Sequence, residues 1–399
     1  MEVRKVKLGE VAAVKGGKRL PKGIQLITIP NTHPYIRVRD LNNSRVLELD
    51  NSFEYVDDET QKTISRYVVE AGDIVLSIVG TIGLVSIVGE TLNGANLTEN
   101  CVKLTSLSDV NRDFLYYYLR SAYGQNEIMR GTVGAVQAKL PIKNIQNITL
   151  YLPDDNTQRR ITAVLGALDN KIETNQKIND NLEQQARAYF QELFVDNADS
   201  EWTLGTVSDL GAVVGGSTPS KSKPEYYTKE GIAWITPKDL SINKSKFISH
   251  GENDITELGL KNSSASIMPE GTVLFSSRAP IGYIAIASGE VTTNQGFKSV
   301  VPKPEIGTAF VYYFLKHNLP VIEGMASGST FKEVSGSTMK NVPAIIPDTE
   351  TLACFNDFCT PIFAQQRILE EQNQSLAALR DSLLPKLMSG EIDVAGLQL

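Results

Sequence analysis

Tyr35-Ile36-Arg37-Val38-Arg39-Asp40-Leu41 decides how this chain folds, because it returns 199 positions later as Trp234-Ile235-Thr236-Pro237-Lys238-Asp239-Leu240. At the same offset Ala71-Gly72-Asp73-Ile74-Val75-Leu76-Ser77 matches Glu270-Gly271-Thr272-Val273-Leu274-Phe275-Ser276, and Ile82-Gly83 matches Ile281-Gly282. Further out, Phe114-Leu115-Tyr116-Tyr117-Tyr118-Leu119 returns as Phe310-Val311-Tyr312-Tyr313-Phe314-Leu315, now 196 positions on. The chain is a duplication. A protein built from two copies of one unit commonly acts on something that itself has two halves.

Each copy closes on a long helical pattern. Ile161, Leu165, Leu168, Ile172, Asn175, Asn179, Leu182, Ala186, Tyr189 and Leu193 step by four and three. Phe355, Cys359, Ile362, Gln366, Leu369, Asn373, Leu376, Arg380, Leu383 and Leu387 repeat that register at a constant offset of 194. Such seams argue for two helices packed on each other as a coiled coil. A helix over 157–194 would be about 57 Å long at 1.5 Å per residue. With antiparallel helices about a pseudo-twofold axis, Asn175 would face Asn373 and Asn179 would face Leu369. A buried Asn costs stability and fixes register. Pro361 predicts either a kink or a helix start with Thr360 as N-cap, and Pro385 predicts a bend in the last turn before Gly390 ends it.

The segments between the helices read as mixed α/β. β-rich runs at 73–78, 84–88, 273–275 and 283–287 are divided by glycine-containing turns, and one short helix per unit is expected at 113–122 and 308–317. The expected fold is therefore two repeated α/β domains separated by two long α-helices, packed as an antiparallel coiled coil with pseudo-twofold symmetry. The expected domains are 1–152, the first long helix at 153–196, 197–346, and the second long helix with its tail at 347–399.

Composition narrows the function. At 399 residues, with 41% apolar and 21% charged residues, the chain reads as a soluble multidomain protein. No apolar run approaches a membrane span, and the start lacks the apolar stretch of a signal peptide. Cys101, Cys354 and Cys359 are too few for a disulfide framework, so a cytoplasmic protein is expected. The net charge of −7 hides segregation. Over 1–45, Arg4, Lys5, Lys7, Lys15, Lys18, Arg19, Lys22, Arg37, Arg39 and Arg45 are opposed only by Glu2, Glu10 and Asp40. A local basic footprint on an acidic chain suits a DNA reader that also meets protein partners.

Catalytic motifs are missing. No two glycines stand two apart, so neither G-x-G-x-x-G nor a methyltransferase Gly-x-Gly loop exists, and no Pro-Pro pair or G-x-x-x-x-G-K-[ST] occurs. Pro153-Asp154 with Asp169-Asn170-Lys171 only faintly mimics a nuclease motif. His33, His250 and His317 are far apart, so no metal site is expected.

A family resemblance rests on text spread along the chain. The second half carries Gly215-Gly216-Ser217-Thr218-Pro219-Ser220, Ala233-Trp234-Ile235 leading to Asp239-Leu240, and Ser276-Ser277-Arg278-Ala279-Pro280-Ile281-Gly282. Thr293-Asn294-Gln295-Gly296-Phe297-Lys298, Ala326-Ser327-Gly328-Ser329-Thr330-Phe331 and Leu383-Leu384-Pro385-Lys386-Leu387-Met388-Ser389-Gly390-Glu391-Ile392 follow. The first half adds Gln158-Arg159-Arg160-Ile161 and Ala167-Leu168-Asp169-Asn170-Lys171-Ile172. Together these resemble the specificity subunit of type I restriction–modification systems. The resemblance implies two target recognition domains, each reading one half of a bipartite double-stranded DNA site. It implies helices that set half-site spacing and dock two methyltransferase subunits modifying adenine, with restriction (translocase) subunits cleaving unmodified DNA. The chain would itself be non-catalytic, without cofactor or metal; S-adenosylmethionine and ATP would belong to the partners. The first half departs from the family text where Val79-Gly80-Thr81 stands for Arg278-Ala279-Pro280, and where Glu99-Asn100-Cys101 stands for Asn294-Gln295-Gly296.

Candidate DNA contacts follow from donor chemistry. Gly17, Lys18 and Arg19, and Gly216, Ser217 and Thr218 with Lys221 and Lys223, are candidates for phosphate; a strand-connecting turn explains these loops equally well. Arg37, Arg39, Ser77 and Ser277 complete the polar set. Arg278 could read guanine or brace its own turn, and Asn294 and Gln295 could read adenine or bond internally. Ser329, Thr330 and Lys332 are polar enough for readout. Tyr35 and Trp234 read as core residues more readily than as stacking platforms. Two rival functions remain: a self-sufficient methyltransferase or nuclease with a divergent site, and a coiled-coil scaffold that reads no DNA.

Overall fold

Alternating side chains on two β-strands organise each half of the computed structural model, which describes residues 3–41, 44–134, 136–278, 280–328, 332–394 and 396. In strand Ile74–Ser77, Ile74 and Leu76 face one buried core while Val75 faces another. In strand Val273–Ser277, Val273 and Phe275 face one core and Leu274 the other. A strand covered on both faces loses the polar alternation of a surface sheet.

The chain divides into two compact units, one of residues 1–173 with 374–399 and one of residues 174–373. Each contains a five-stranded sheet of the same order. In the first, Ala13–Gly16, Cys101–Thr105, Ile74–Ser77, Val85–Val88 and Val46–Leu47 lie side by side. In the second the order is Gly211–Gly215, Lys298–Pro302, Val273–Ser277, Ile281–Ala287 and Phe247–Ile248. Neighbours are antiparallel except at the last edge, where Val46–Leu47 and Phe247–Ile248 each join in parallel. A two-stranded ribbon adds to each unit: Arg4–Lys7 with Thr149–Leu152, and Thr203–Thr206 with Pro343–Ile346.

The short helices Arg112–Arg120 and Thr308–His317 are apolar nearly all round, and Phe114 to Leu119 and Ala309 to Leu315 are buried. Such a helix belongs in a core. Each joins its sheet to the long helices. In the first unit it shares a core with Ile74, Leu76, Ile161, Leu165, Leu387 and Met388; in the second, with Val273, Phe275, Ala186, Phe190, Phe355 and Cys359. The first short helix is followed at once by Ala122–Gly131, started by Ser121, whose Oγ accepts from the Gly124 N–H at 3.3 Å.

The first long helix is Asp155–Gln191, continuing as one wide turn through Glu192–Asp196. The second is Thr349–Ser389, which excludes one of the two readings of Pro361: no helix starts there with Thr360 as N-cap, and both Pro361 and Pro385 lie within the helix. The missing proline N–H groups leave the Asp357 and Asp381 carbonyls without their usual donors, but these residues and both prolines are solvent-exposed, where water satisfies the carbonyls. Gly390, at φ +76°, ends the helix.

Within each unit the two helices run antiparallel. In the first, Arg380 meets Asp169 at 2.7 Å, and the Arg160 guanidinium reaches the Val394 carbonyl at 3.3 Å. In the second, Asn175 Nδ2 donates to Asn373 Oδ1 at 2.9 Å, Gln366 Nε2 donates to the Asn179 carbonyl at 3.1 Å, and the Tyr189 ring lies tilted against that of Phe355, 6.0 Å between centres. None of the seam positions, from Ile161 to Leu193 and from Phe355 to Leu387, is solvent-exposed.

A buried tyrosine ties each short helix to the seam. Tyr117 donates to Asp169 Oδ2 at 2.6 Å, with Arg380 on the other carboxylate oxygen; Arg45 meets Asp113 at 2.8 Å and Asn170 at 2.6 Å beside it. Tyr313 donates to Glu183 Oε2 at 2.8 Å; Lys316 reaches the other oxygen at 2.8 Å, and Lys246 pairs with the same carboxylate and with Gln366 at 2.7 Å. Burial pushes the Glu183 carboxyl up, but Lys246 and Lys316 outweigh it and hold it at about 2.

Candidate nucleic-acid interface

The same clasp appears in both units where two loops meet at the sheet edge. In the first unit the Gly17 N–H donates to the Cys101 carbonyl at 3.1 Å and the Lys18 N–H to the Leu97 carbonyl at 2.8 Å. Tyr35 Oη donates to the Lys18 carbonyl at 2.8 Å. In the second unit the Gly216 N–H meets the Phe297 carbonyl at 3.5 Å, the Ser217 N–H the Thr293 carbonyl at 2.9 Å, and Trp234 Nε1 the Ser217 carbonyl at 2.9 Å. Glycine is required by space: a Cβ at Gly17 would lie 2.0 Å from the Thr98 carbonyl oxygen, and one at Gly216 2.0 Å from that of Asn294. Tyr35 and Trp234 are thus buried residues with a polar handle on the loop.

These bonds correct the register inferred from sequence. Cys101 stands with Phe297 and Leu97 with Thr293, so Glu99 is opposite Gln295, and Asn100 opposite Gly296. The clasp then presents two different side-chain pairs. In the first unit Arg19 Nε donates to Glu99 Oε1 at 2.6 Å; in the second the Thr218 hydroxyl donates to Gln295 Oε1. Arg19 is 79% exposed and Glu99 29%. Burial raises the Glu99 carboxyl, but the Arg19 guanidinium and the Thr98 hydroxyl outweigh it, leaving it below its ordinary range. A concavity of about 370 Å³ lies here, lined by Arg19, Tyr35, Arg37, Arg39, Glu99 and Asn100 among others.

The other residues fall into three groups. Arg37 pairs with Glu54 and its N–H donates to Asp40 Oδ2 at 2.7 Å; Arg39 lies 3.4 Å from Glu54 and 3.2 Å from Asp40. Both arginines line the concavity but are shared with carboxylates. Lys18 lies 5.6 Å from the Tyr67 ring centre. Lys223 Nζ donates to Tyr226 Oη at 3.1 Å, Lys221 is exposed, and Lys332 is exposed.

Ser77 and Ser277 are buried, with their hydroxyls engaged internally. Ser77 Oγ donates to the Thr81 carbonyl at 2.6 Å and accepts from the Leu84 N–H at 2.8 Å. Its structural counterpart is Ser276, bonded to Pro280 and Tyr283 in the same way, while Ser277 Oγ donates to the Gly296 carbonyl at 3.1 Å. Asn294 Oδ1 accepts from the Gly296 N–H at 2.8 Å, forming a turn. Arg278 lies 3.8 Å from Glu333, which Lys298 also approaches at 3.6 Å. Ser329 and Thr330 lie outside the described residues.

Three residues escaped the sequence reading: Glu99, Lys298 and Glu333. Aligning the two halves at an offset of 196 after the loop, rather than 195, would have placed Glu99 against Gln295. The nuclease-like Asp169 is occupied by Tyr117 and Arg380. Among the described residues no group of three or more His, Cys, Asp or Glu could hold a metal, and no helix is long and apolar enough to cross a membrane.

Comparison with known proteins places these two copies. A family described as "Type I restriction modification DNA specificity domain" matches residues 1–184 and again 199–379. The MjaIX specificity subunit of Methanocaldococcus jannaschii is 40% identical over 191 residues, covering 46% of this chain and 44% of that relative's length. The HindI specificity subunit of Haemophilus influenzae is 25% identical over 329 residues, covering 64% of this chain and 71% of the relative. The crystal structure of a type I restriction-modification S subunit from M. genitalium has the same fold, with a TM-score of 0.59 at 18% identity, 97% of this chain and 96% of that one being covered. With the match repeated over both halves, this chain belongs to the type I restriction–modification DNA specificity family.

Proposed function

We propose that this chain is the non-catalytic sequence reader of a type I restriction–modification complex, each unit recognising one half of a bipartite DNA site. The observation that carries this is the duplicated clasp. One backbone arrangement, repeated in both units, holds different polar side chains outward: Arg19 and Glu99 in one, Thr218 and Gln295 in the other. Equal scaffolds with unequal donors and acceptors are what two related readers of two different sequences need. With the Gly17, Lys18, Gly216 and Ser217 N–H groups taken up inside the clasps, the side chains of Lys18 in one unit and of Lys221 and Lys223 in the other supply the cations for phosphate. Segments 1–152 and 197–346 serve as recognition domains, and 153–196 and 347–399 as helices that fix half-site spacing and dock two methyltransferase subunits. Those partners modify adenine with their own S-adenosylmethionine, restriction subunits with their own ATP cleave unmodified DNA, and the assembly works in the cytoplasm.

Methylome sequencing of cells carrying this chain with its methyltransferase partner tests the reading. A two-part motif with a fixed spacer is expected, altered in one half only when residues 1–152 are exchanged. Methyl transfer by the purified chain alone would refute it in favour of an enzyme, and the absence of any sequence-selective binding would favour a scaffold.

A further inference from the structure

We infer that positions 19 and 99 in the first unit, and 218 and 295 in the second, are homologous base-reading pairs, with Arg19 reading guanine and Gln295 reading adenine. This rests on the proposed DNA-reading function and adds to it a contact, a base and a positioning residue, Glu99.

The geometry separates a base contact from a phosphate contact at Arg19. Glu99 Oε1 takes the Nε–H of the guanidinium at 2.6 Å, and the Thr98 hydroxyl donates to Glu99 Oε2 at 3.0 Å, so the carboxylate is itself held. Arg19 is thereby fixed by one edge, while its two terminal amino groups have no partner among the described residues. A guanidinium steadied through Nε presents two parallel N–H groups, the fork that matches O6 and N7 of guanine in the major groove. A carboxylate at that distance would repel a phosphate oxygen brought to the same arginine. A cation meant for the DNA backbone needs no carboxylate beside it, and Lys18, whose side chain pairs with no carboxylate among the described residues, fits that role.

The second unit makes the same choice with neutral groups. Thr218 takes the place of Arg19, and its hydroxyl donates to Gln295 Oε1, the counterpart of Glu99. That bond orients the amide, leaving Nε2 as a donor and a lone pair on Oε1 as an acceptor. This donor–acceptor pair is the one that matches N7 and N6 of adenine. Arginine with glutamate, and threonine with glutamine, are each mutually satisfied. Exchanging one member alone would leave a carboxylate without its cation or a guanidinium without its brace.

The test uses the full chain assembled with its methyltransferase subunits, a DNA pool randomised across both half-sites, and sequencing of the retained DNA. The wild-type complex is expected to require guanine at one position of one half-site and adenine at one position of the other. Arg19→Ala should lower discrimination at that guanine by about 5- to 100-fold and leave the second half-site unchanged. Arg19→Lys keeps the charge but loses the fork, so it should relax the same position without changing the salt dependence of binding. The double variant Arg19→Thr with Glu99→Gln should move the preference at that position from guanine towards adenine, and Gln295→Ala should relax the adenine. Retained discrimination at the other positions of the mutated half-site reports in every case that the variant unit is folded. Uniform weakening on all sequences with a shallower salt slope for Arg19→Ala, or unaltered base preferences in all four variants, overturns the inference. A wild-type complex that selects no sequence would instead overturn the proposed function itself.

Discussion

Tyr117 and Tyr313 occupy the same place in two copies of one fold, yet their hydroxyls reach carboxylates that the duplication does not relate. At the offset of 194 between the long helices, the counterpart of Asp169 is Phe363, which can accept no hydrogen bond. The second unit therefore takes its carboxylate from Glu183, on the other helix, and Phe363 becomes a face for Lys246, 4.2 Å from the ring centre. The backbone and the need to satisfy a buried hydroxyl are inherited; the partner is not. A duplicated fold constrains what must be paired more tightly than which residue does the pairing.

That difference gives the largest expected effect. Lys246 is 6% exposed, and Glu183→Ala leaves it buried beside Lys316 without its main counter-charge, so a loss of about 3–5 kcal/mol is expected in the second unit. Asp169→Ala in the first unit should cost less, because Arg380 keeps Asp381 at 2.8 Å. Denaturant melts of the two variants decide this, and equal losses would break the comparison. The glycine clasps, by contrast, should behave alike: Gly17→Ala and Gly216→Ala each drive a Cβ against a backbone carbonyl and should cost similar amounts, near 3 kcal/mol, the upper end of overpacking.

Acid should also separate the units. Glu183, held at about 2 against an ordinary 4.5, contributes stability above pH 4.5 that is lost as pH falls towards 2. Asp40 has the opposite sign. Burial lifts it from 3.8 to about 6 despite Arg39, so its contribution is complete below pH 3.8 and is lost as pH rises through 6. Between pH 6.5 and 4.5 the first unit should gain about 2 kcal/mol from this group while Glu183 leaves the second unchanged. Hydrogen exchange at Ile74–Ser77 and Val273–Ser277 reads the two separately, and Asp40→Asn should abolish the gain. The smallest effect is at the seam. Asn175 is fully buried, and its Oδ1 has no hydrogen-bond partner among the described residues, so Asn175→Leu with Asn373→Leu should raise the melting temperature by the equivalent of about 1 kcal/mol. A lowered melting point would show that the amide pair stabilises the seam.

Much of the architecture could be read in advance because its signals are periodic. A seam from Ile161 to Leu193 and its copy from Phe355 to Leu387 specify two paired helices, and a constant offset specifies which residues share a level. The helix start offered at Pro361 fails because proline rules describe an isolated helix; on an exposed face the unmatched carbonyl is hydrated and packing carries the helix through. The candidate site was less legible. The offset of 199 already pairs Ser77 with Ser276, but only the structure shows both hydroxyls spent inside a hairpin and Ser277 bonded to the Gly296 carbonyl, leaving neither Ser77 nor Ser277 for DNA. Glu99 was missed because a carboxylate argues against DNA contact until its arginine is seen beside it.

The first unit is assembled from two stretches far apart along the chain, residues 1–173 and 374–399, whereas the second is the unbroken stretch 174–373. Translation therefore reverses their order of completion. The ribosome finishes the material of the second unit first, while the earlier-made segment waits about 10–40 s for residues beyond 373, at ordinary elongation rates. During that interval the apolar surface around Ile161 and Leu165, later covered in company with Leu387 and Met388, is open to chaperones and to unwanted association. Maturation of the first unit is thus tied to synthesis of residues 374–399.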